Sequence, residues 1–179
     1  MKKSNVILYI AVSLDGYIAR PDGAVDWLDD VEGEGDNGYG EFYSQVGTVI
    51  MGRKTYEEVL RLTDEFPYAG KPCYVLSRQT MENSPHVTFT DEDLVSLVSR
   101  LKKDSNSYVW LVGGGQLVKQ FLEKQLIDEI QLYIIPKLIG EGIPLFPDDT
   151  PPAEFELTGT GQLGQIASLT YKLKTKGAG

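Results

Sequence analysis

Three short segments of the 179-residue sequence gather the residue types that grip phosphate. Gly113-Gly114-Gly115 follows the apolar run Tyr108–Val112 and precedes a helical pattern beginning at Gln116. Glycine lets a backbone approach a ligand closely, and free amides at a helix start can hold phosphate oxygens. Taken alone, the triplet reads equally well as a tight strand-to-helix turn. Met51-Gly52-Arg53-Lys54-Thr55 is a second junction of this kind. Two cations at a helix N-terminus oppose the dipole, which favours acids there. Their placement makes more sense with an anion between them, although two solvated surface cations is the plainer reading. Leu76-Ser77-Arg78 is a third strand end, with a hydroxyl and a guanidinium just past an apolar run. Ligands of α/β sheets sit at strand carboxyl ends. A phosphorylated nucleotide explains the three junctions jointly.

A fourth match misleads. Gly33-x-Gly35-x-x-Gly38 fits the dinucleotide glycine pattern literally, but it follows Trp-Leu-Asp-Asp-Val-Glu instead of a buried strand. Carboxylates would then lie beside phosphates, so the segment reads as a loop. Cysteine and histidine chemistry is nearly absent. Cys73 alone can form no intrachain disulfide and no cysteine zinc site, and it reads as a small core residue. His86 alone excludes a histidine-rich metal centre and reads as a strand-end residue. No metal site is expected.

Short apolar runs bounded by turn signals supply the elements that must position these residues. Strands are expected at Val6–Ser13, Thr48–Met51, Cys73–Ser77, Val87–Thr90, Tyr108–Val112, Glu129–Pro136, Ala153–Thr160 and Ile166–Lys174. Helices are expected at Lys54–Leu62, Asp91–Lys103 and Gln116–Lys124, with Asp91 as an N-cap. Strand–helix alternation to about residue 125 argues for parallel pairing with crossover helices. Gly161-Gln162-Leu163-Gly164 reads as a hairpin, which makes the end of the sheet antiparallel. The expectation is a single α/β domain over residues 1–179, with a central mixed, mainly parallel sheet flanked by helices. Asp29–Gly40, acidic and glycine-rich, is expected to be a mobile surface loop.

Composition narrows the partners. Hydrophobic residues at 41% and charged residues at 24% are an ordinary globular balance. Acids outnumber bases 26 to 17, a net charge of −9, which disfavours general nucleic-acid binding. The apolar run Val6–Val12 is too short to span a membrane and no cleavage pattern follows it, so a soluble cytoplasmic protein is expected.

These residues, in this order, resemble the dihydrofolate reductase superfamily, particularly the branch containing the reductase domain of riboflavin biosynthesis. The resemblance covers nearly the whole chain. It is most specific at Val49–Glu57 and Val112–Gly115, and the stretches 126–130, 136–140 and 142–146 look like the riboflavin-type branch. Gly-Gly-Gly is the dihydrofolate reductase form, whereas the riboflavin branch commonly has Glu at the position of Gly113.

The resemblance implies a dihydrofolate reductase-like fold and NADPH as cofactor. Gly52, Arg53, Lys54 and Thr55 match the segment that holds the adenosine-side phosphates. Ser77 and Arg78 match residues that grip the 2′-phosphate, and Arg gains far more from a phosphate than from a bare hydroxyl. Gly113, Gly114, Gly115, Gln116 and Leu117 match the pyrophosphate turn, while Ala11 and Ile18 match residues around the nicotinamide. Leu76 and Val112, which lead into two of these turns, are counted with the cofactor contacts. Trp27 falls where the family places a tryptophan beside the substrate. A buried carboxylate is expected to aid protonation, its pKa raised by desolvation. Asp36 matches by spacing from Gly52, with Asp15 and Glu41 as rivals. The implied substrate is an aminopyrimidine or pteridine heterocycle. The implied assembly is a homodimer, for which 134–135 and 138–139 offer apolar surface.

Overall fold

The chain begins with β1 (Val6–Ser13), apolar on both faces, followed by β2 (Tyr17–Ala19) and a 3-10 turn at Asp26–Leu28. Then come α1 (Tyr39–Ser44), β3 (Val46–Gly52), α2 (Arg53–Leu62), β4 (Cys73–Leu76) and β5 (Thr88–Thr90). The next elements are α3 (Leu94–Lys103), β6 (Tyr108–Gly113), α4 (Gly115–Glu123) and β7 (Glu129–Ile135). β8 (Ile143–Pro144), β9 (Phe155–Leu163) and β10 (Ile166–Leu173) complete the order. The structure is a computed structural model describing residues 5–79, 84–103 and 107–174.

Eight strands form one sheet in the order β5-β4-β3-β6-β1-β7-β10-β9. The first six are mutually parallel, and β10 then pairs antiparallel with both β7 and β9. β2 and β8 form a separate two-stranded antiparallel sheet. This is the mixed, mainly parallel α/β architecture that the strand–helix alternation predicts. Its consequence for function is positional. Parallel pairing sends the carboxyl ends of β1, β3, β4, β6 and β7 to one edge of the sheet.

Side-chain alternation along β1 divides the core. Val6, Leu8 and Val12 join α3 and α4 on one face, where Leu97, Val118 and Phe121 are fully or almost fully buried. Ile7 points the other way, to α1 and α2, with Phe42, Tyr56 and Trp110. α4 shows why its sequence is helical. Leu117, Val118, Phe121 and Leu122 recur at three- and four-residue spacing and all are buried, each contributing roughly 1.5–3 kcal/mol. Cys73 is buried in the second cluster, as its setting predicts.

Several boundaries differ from expectation for identifiable reasons. α3 begins at Leu94, and its cap is Asp93, not Asp91: Asp93 Oδ2 accepts from the Ser96 amide at 3.1 Å. Thr90 Oγ1 meanwhile takes the Glu92 amide at 3.0 Å and holds the preceding residues in a turn. The hairpin is tighter than the glycines suggested, with Leu163 paired to Ile166 and Gly164 at φ +60° in the two-residue turn. The acidic segment 29–40 is tied to that turn, because the Gln165 amide donates to the Glu32 carbonyl at 2.8 Å. At its end lies α1, a helix that the sequence did not announce. His86 lies exposed just before β5 and stacks on Phe66, centroids 5.7 Å apart. No helix among the described residues is long and apolar enough to cross a membrane.

Candidate active site

The glycine turn after β6 and the turn after β3 face each other. Met51 pairs with Gly113 in the β3–β6 ladder, so both chains leave the sheet side by side. A Cβ on Gly52 would lie 3.8 Å from the Gly113 carbonyl oxygen and 3.9 Å from the Gly114 nitrogen. One on Gly114 would lie 3.3 Å from Thr55 Oγ1 and 4.0 Å from Ile18 Cδ1. Gly113 has φ +131°, a conformation that favours glycine, and the Gly113–Gly114 peptide is cis. Gly52, Thr55, Ile18, Gly113, Gly114 and Leu117 are thereby brought to one place. α2 and α4 both open there, with N-caps Gly52 and Gly114 that supply no side-chain cap. Two sets of helix-start amides thus sit at one sheet edge, an arrangement suited to phosphate.

β4 adds a further cation. Leu76 is the ladder partner of Gly52, which sets Ser77 and Arg78 beside the start of α2. Arg53 spans the gap, its guanidinium hydrogen-bonded to Gln79 and ion-paired with Glu57 at 2.9 Å. Ser77 Oγ accepts from the Gln79 amide at 3.3 Å in a local turn. Lys54 and Arg78 are exposed. Gln116 is exposed on the first turn of α4, and Val112 is half-buried against the aromatic cluster. Gly115 has a different duty: a Cβ there would meet the Pro144 carbonyl oxygen at 2.4 Å, so it admits β8.

The two carboxylates expected to do acid chemistry are engaged in structure. Asp15 accepts from Ser13 Oγ at 2.6 Å, from the Ile139 amide at 3.2 Å and from the Gly140 amide at 2.9 Å. The Ser13 hydroxyl and then those amides hold its carboxyl below the usual range, so it stays ionised and braces the β1–β2 turn against the segment after β7. Asp36 is exposed, not buried, and caps α1 by accepting from the Gly38 and Gly40 amides, each at 2.9 Å. Asp36 is therefore not the expected buried carboxylate. Glu41 is likewise exposed.

Trp27 is 2% exposed and forms a buried cluster with Ile135 and Ile166, against which Ala11 and Tyr133 pack. Its Nε1 is the buried side-chain donor without a partner among the described residues. Beside it opens a cleft of about 400 Å³ lined by Arg20, Asp26, Trp27, Asp30, Lys137, Leu138 and Ile139. The cations on its rim are paired: Arg20 with Asp26 at 2.7 Å, and Lys137 with Asp30 and, at 2.9 Å, the Trp27 carbonyl.

An aromatic floor, which the motifs did not reveal, adjoins Ala11 and Trp27. Tyr9 stacks on Phe42 with centroids 3.9 Å apart and planes within 7°. Tyr133 approaches Tyr9 from β7, centroids 5.0 Å apart, and Tyr39 approaches from α1 at 6.2 Å. The signal was present in the alternation of β1, which puts Tyr9 on the same face as Ala11.

The sequence of the RibD C-terminal domain family matches this chain over residues 4–168. The chain belongs to that family. The uncharacterized Bacillus subtilis protein YwjB is 49% identical over 92% of this chain and 95% of its own length. A solved Shewanella sp. PV-4 structure, of a protein named for riboflavin biosynthesis, superposes with a TM-score of 0.86 at 31% identity, covering 96% of this chain and 99% of that one. The Thermotoga maritima diaminohydroxyphosphoribosylaminopyrimidine deaminase/5-amino-6-(5-phosphoribosylamino)uracil reductase shares the fold, at TM-score 0.69 and 19% identity. The match spans 97% of this chain and 57% of the Thermotoga chain. This RibD-type domain therefore carries the fold of its family, with its own Gly113-Gly114-Gly115 turn and with both expected carboxylates engaged or exposed.

Proposed function

We propose that this chain is an NADPH-dependent oxidoreductase of the cytoplasm that transfers hydride to a substrate of the aminopyrimidine or pteridine type. The observation that carries this reading is the meeting of Gly52 with Gly113 and Gly114, where two uncapped helices begin beside the cations that follow β3 and β4. Those residues fit a dinucleotide with an extra phosphate. Gly113–Leu117 would hold the pyrophosphate, and Gly52–Thr55 the adenosine-side phosphates. Ser77 and Arg78 would hold the 2′-phosphate, with Leu76 and Val112 flanking. Ala11 and Ile18 would border the nicotinamide, and Trp27 the substrate.

When bound, NADPH supplies a hydride. The chain itself orients that cofactor through fixed amides, which cost no reorganisation when charge moves. Asp15 fixes the β1–β2 turn to the segment after β7 by accepting from the amides of Ile139 and Gly140. Reduction of 5-amino-6-(5-phosphoribosylamino)uracil and of dihydrofolate are the two named possibilities, the first favoured by the names of RibD-type relatives. We also propose a homodimer. Of the apolar residues expected to face a second copy, Ile135 is instead buried with Trp27, while Ile134 is only partly buried and Leu138 is 72% exposed; light scattering should give twice the 19.8 kDa chain mass. A monomer mass would remove that assembly.

A paired titration tests the cofactor. NADPH should quench Trp27 and Trp110 fluorescence at concentrations where NADH does not, with calorimetry as a check on silent tryptophans. Binding of neither would refute the reading. A second reading, a non-catalytic NADPH-binding or sensing protein, is favoured by the engagement of both Asp15 and Asp36. Binding of NADPH without its oxidation by either acceptor would select it.

A further inference from the structure

Hydride addition to a C=N bond leaves an electron pair on nitrogen, which must gain a proton. Neither expected carboxylate is placed to give one, since Asp15 is ionised and fully engaged and Asp36 is exposed at the start of α1. The sheet floor offers different donors. Tyr133 is the ladder partner of Ala11, so its ring stands beside the residue that the reading above puts at the nicotinamide. Tyr133 packs against the buried cluster of Trp27, Ile135 and Ile166, and Tyr9 meets it with ring centroids 5.0 Å apart. Both tyrosines are half-buried, not sealed. The stack of Tyr9 on Phe42 fixes the Tyr9 ring, and Trp110 meets it edge-on at 6.0 Å.

We infer that the Tyr9–Tyr133 phenol pair is the proton source of this site, Tyr133 donating to the acceptor and Tyr9 steadying the phenolate left behind. This rests on the reductase reading. Hydride forms the new C–H bond, and the C=N π pair moves to nitrogen. As the Tyr133 O–H bond breaks, the new N–H bond forms. The Tyr9 hydroxyl donates a hydrogen bond to the Tyr133 phenolate until water restores its proton. The surroundings suit this division. Burial first, then the Tyr133 hydroxyl, push the Tyr9 phenol well above the ordinary tyrosine range, so it remains a donor at every physiological pH. Tyr39 and Asp36, the other titratable groups facing Tyr9, push in the same direction.

The test uses the full chain with two named acceptors, dihydrofolate and 5-amino-6-(5-phosphoribosylamino)uracil. Calorimetry measures NADPH binding, then acceptor binding to the NADP⁺-loaded protein. Single-turnover absorbance measures the hydride step. Tyr133→Phe and Tyr9→Phe keep the rings, so both binding constants should stay within about threefold. The hydride step should fall about a hundredfold in Tyr133→Phe, in the range of general acid catalysis, and about tenfold in Tyr9→Phe. Tyr171→Phe, on the opposite sheet face, is the matched control. In the unaltered protein the hydride step should show no loss of rate through the carboxylic-acid range. A carboxylic acid donor would instead lose rate as pH rises. Rates within twofold for both variants, or an acidic pKa in the profile, would overturn the phenol assignment while the cofactor reading stands. NADPH binding without reduction of either acceptor overturns it too, and failure to bind NADPH removes both.

Discussion

Met51 on β3 and Gly113 on β6 are partners in a parallel ladder, and the helices that follow their strands begin within a residue or two of that pair. The contact depends on glycine at Gly52 and Gly114, whose missing side chains leave room between the turns. On the proposed cofactor reading, a phosphate at this edge would meet backbone amides, and the cations beside it would set selectivity.

Arg78 sits at the end of β4, beside the α2 start, and is exposed. Arg78→Ala should weaken NADPH about tenfold, the equivalent of one lost charge-assisted contact of roughly 1.4 kcal/mol, and leave NADH unchanged. Paired fluorescence titrations measure both. Equal losses would remove the 2′-phosphate contact.

Gly115 faces backbone, not a movable side chain. A methyl group there would approach the Pro144 and Leu145 carbonyl oxygens at 2.4 and 3.2 Å. Gly115→Ala should therefore cost about 1–3 kcal/mol, read from the urea midpoint, because α4 and β8 must separate. A midpoint unchanged from the parent protein would show that the two segments shift freely.

Asp15 makes a pH-dependent contribution to stability. Its carboxyl is held low by the Ser13 hydroxyl and by the Gly140 and Ile139 amides. A depressed folded-state pKa stabilises above the unfolded value of about 3.9, and the contribution vanishes as pH falls through the folded value. Asp15→Asn should lower Tm at neutral pH, and the gap from the parent should close in strong acid. A gap independent of pH would contradict the ionised, hydrogen-bonded state.

Cys73 is 3% exposed, and burial pushes its thiol up to about 12. Thiolate is the reactive form, so Ellman's reagent at pH 8 should leave the folded protein untouched and modify one thiol per chain after denaturation. Rapid labelling of the native chain would mean that β4 opens locally.

The periodicities of the sequence determined the frame. Short apolar runs alternating with helical spacing imply parallel strands, and parallel strands put Gly52, Ser77 and Gly113 at one edge. That inference needs only local pattern and the handedness of crossovers. It was enough to gather the glycine turns at that edge, because they lie adjacent in sequence to a strand end. α1 was illegible for the same reason in reverse: its six residues carry a glycine and three aromatics, and the helix is held by Asp36 and by burial of Phe42, not by propensity.

What tertiary structure decided was the state of each side chain far from its neighbours in sequence. Spacing put Asp36 and Asp15 forward as acids, but burial and hydrogen-bond partners set a carboxyl's chemistry, and those come from segments over a hundred residues away for Asp15. Tyr9 and Tyr133 meet only because β7 lies beside β1 in the sheet, a pairing across 124 positions that no local signal carries. The sequence itself settled the fold and the edge at which the glycine turns and the cations beside them gather. Strand order and register decided which polar groups stand near the reacting atoms, since proximity in a sheet is set by pairing and not by distance along the chain.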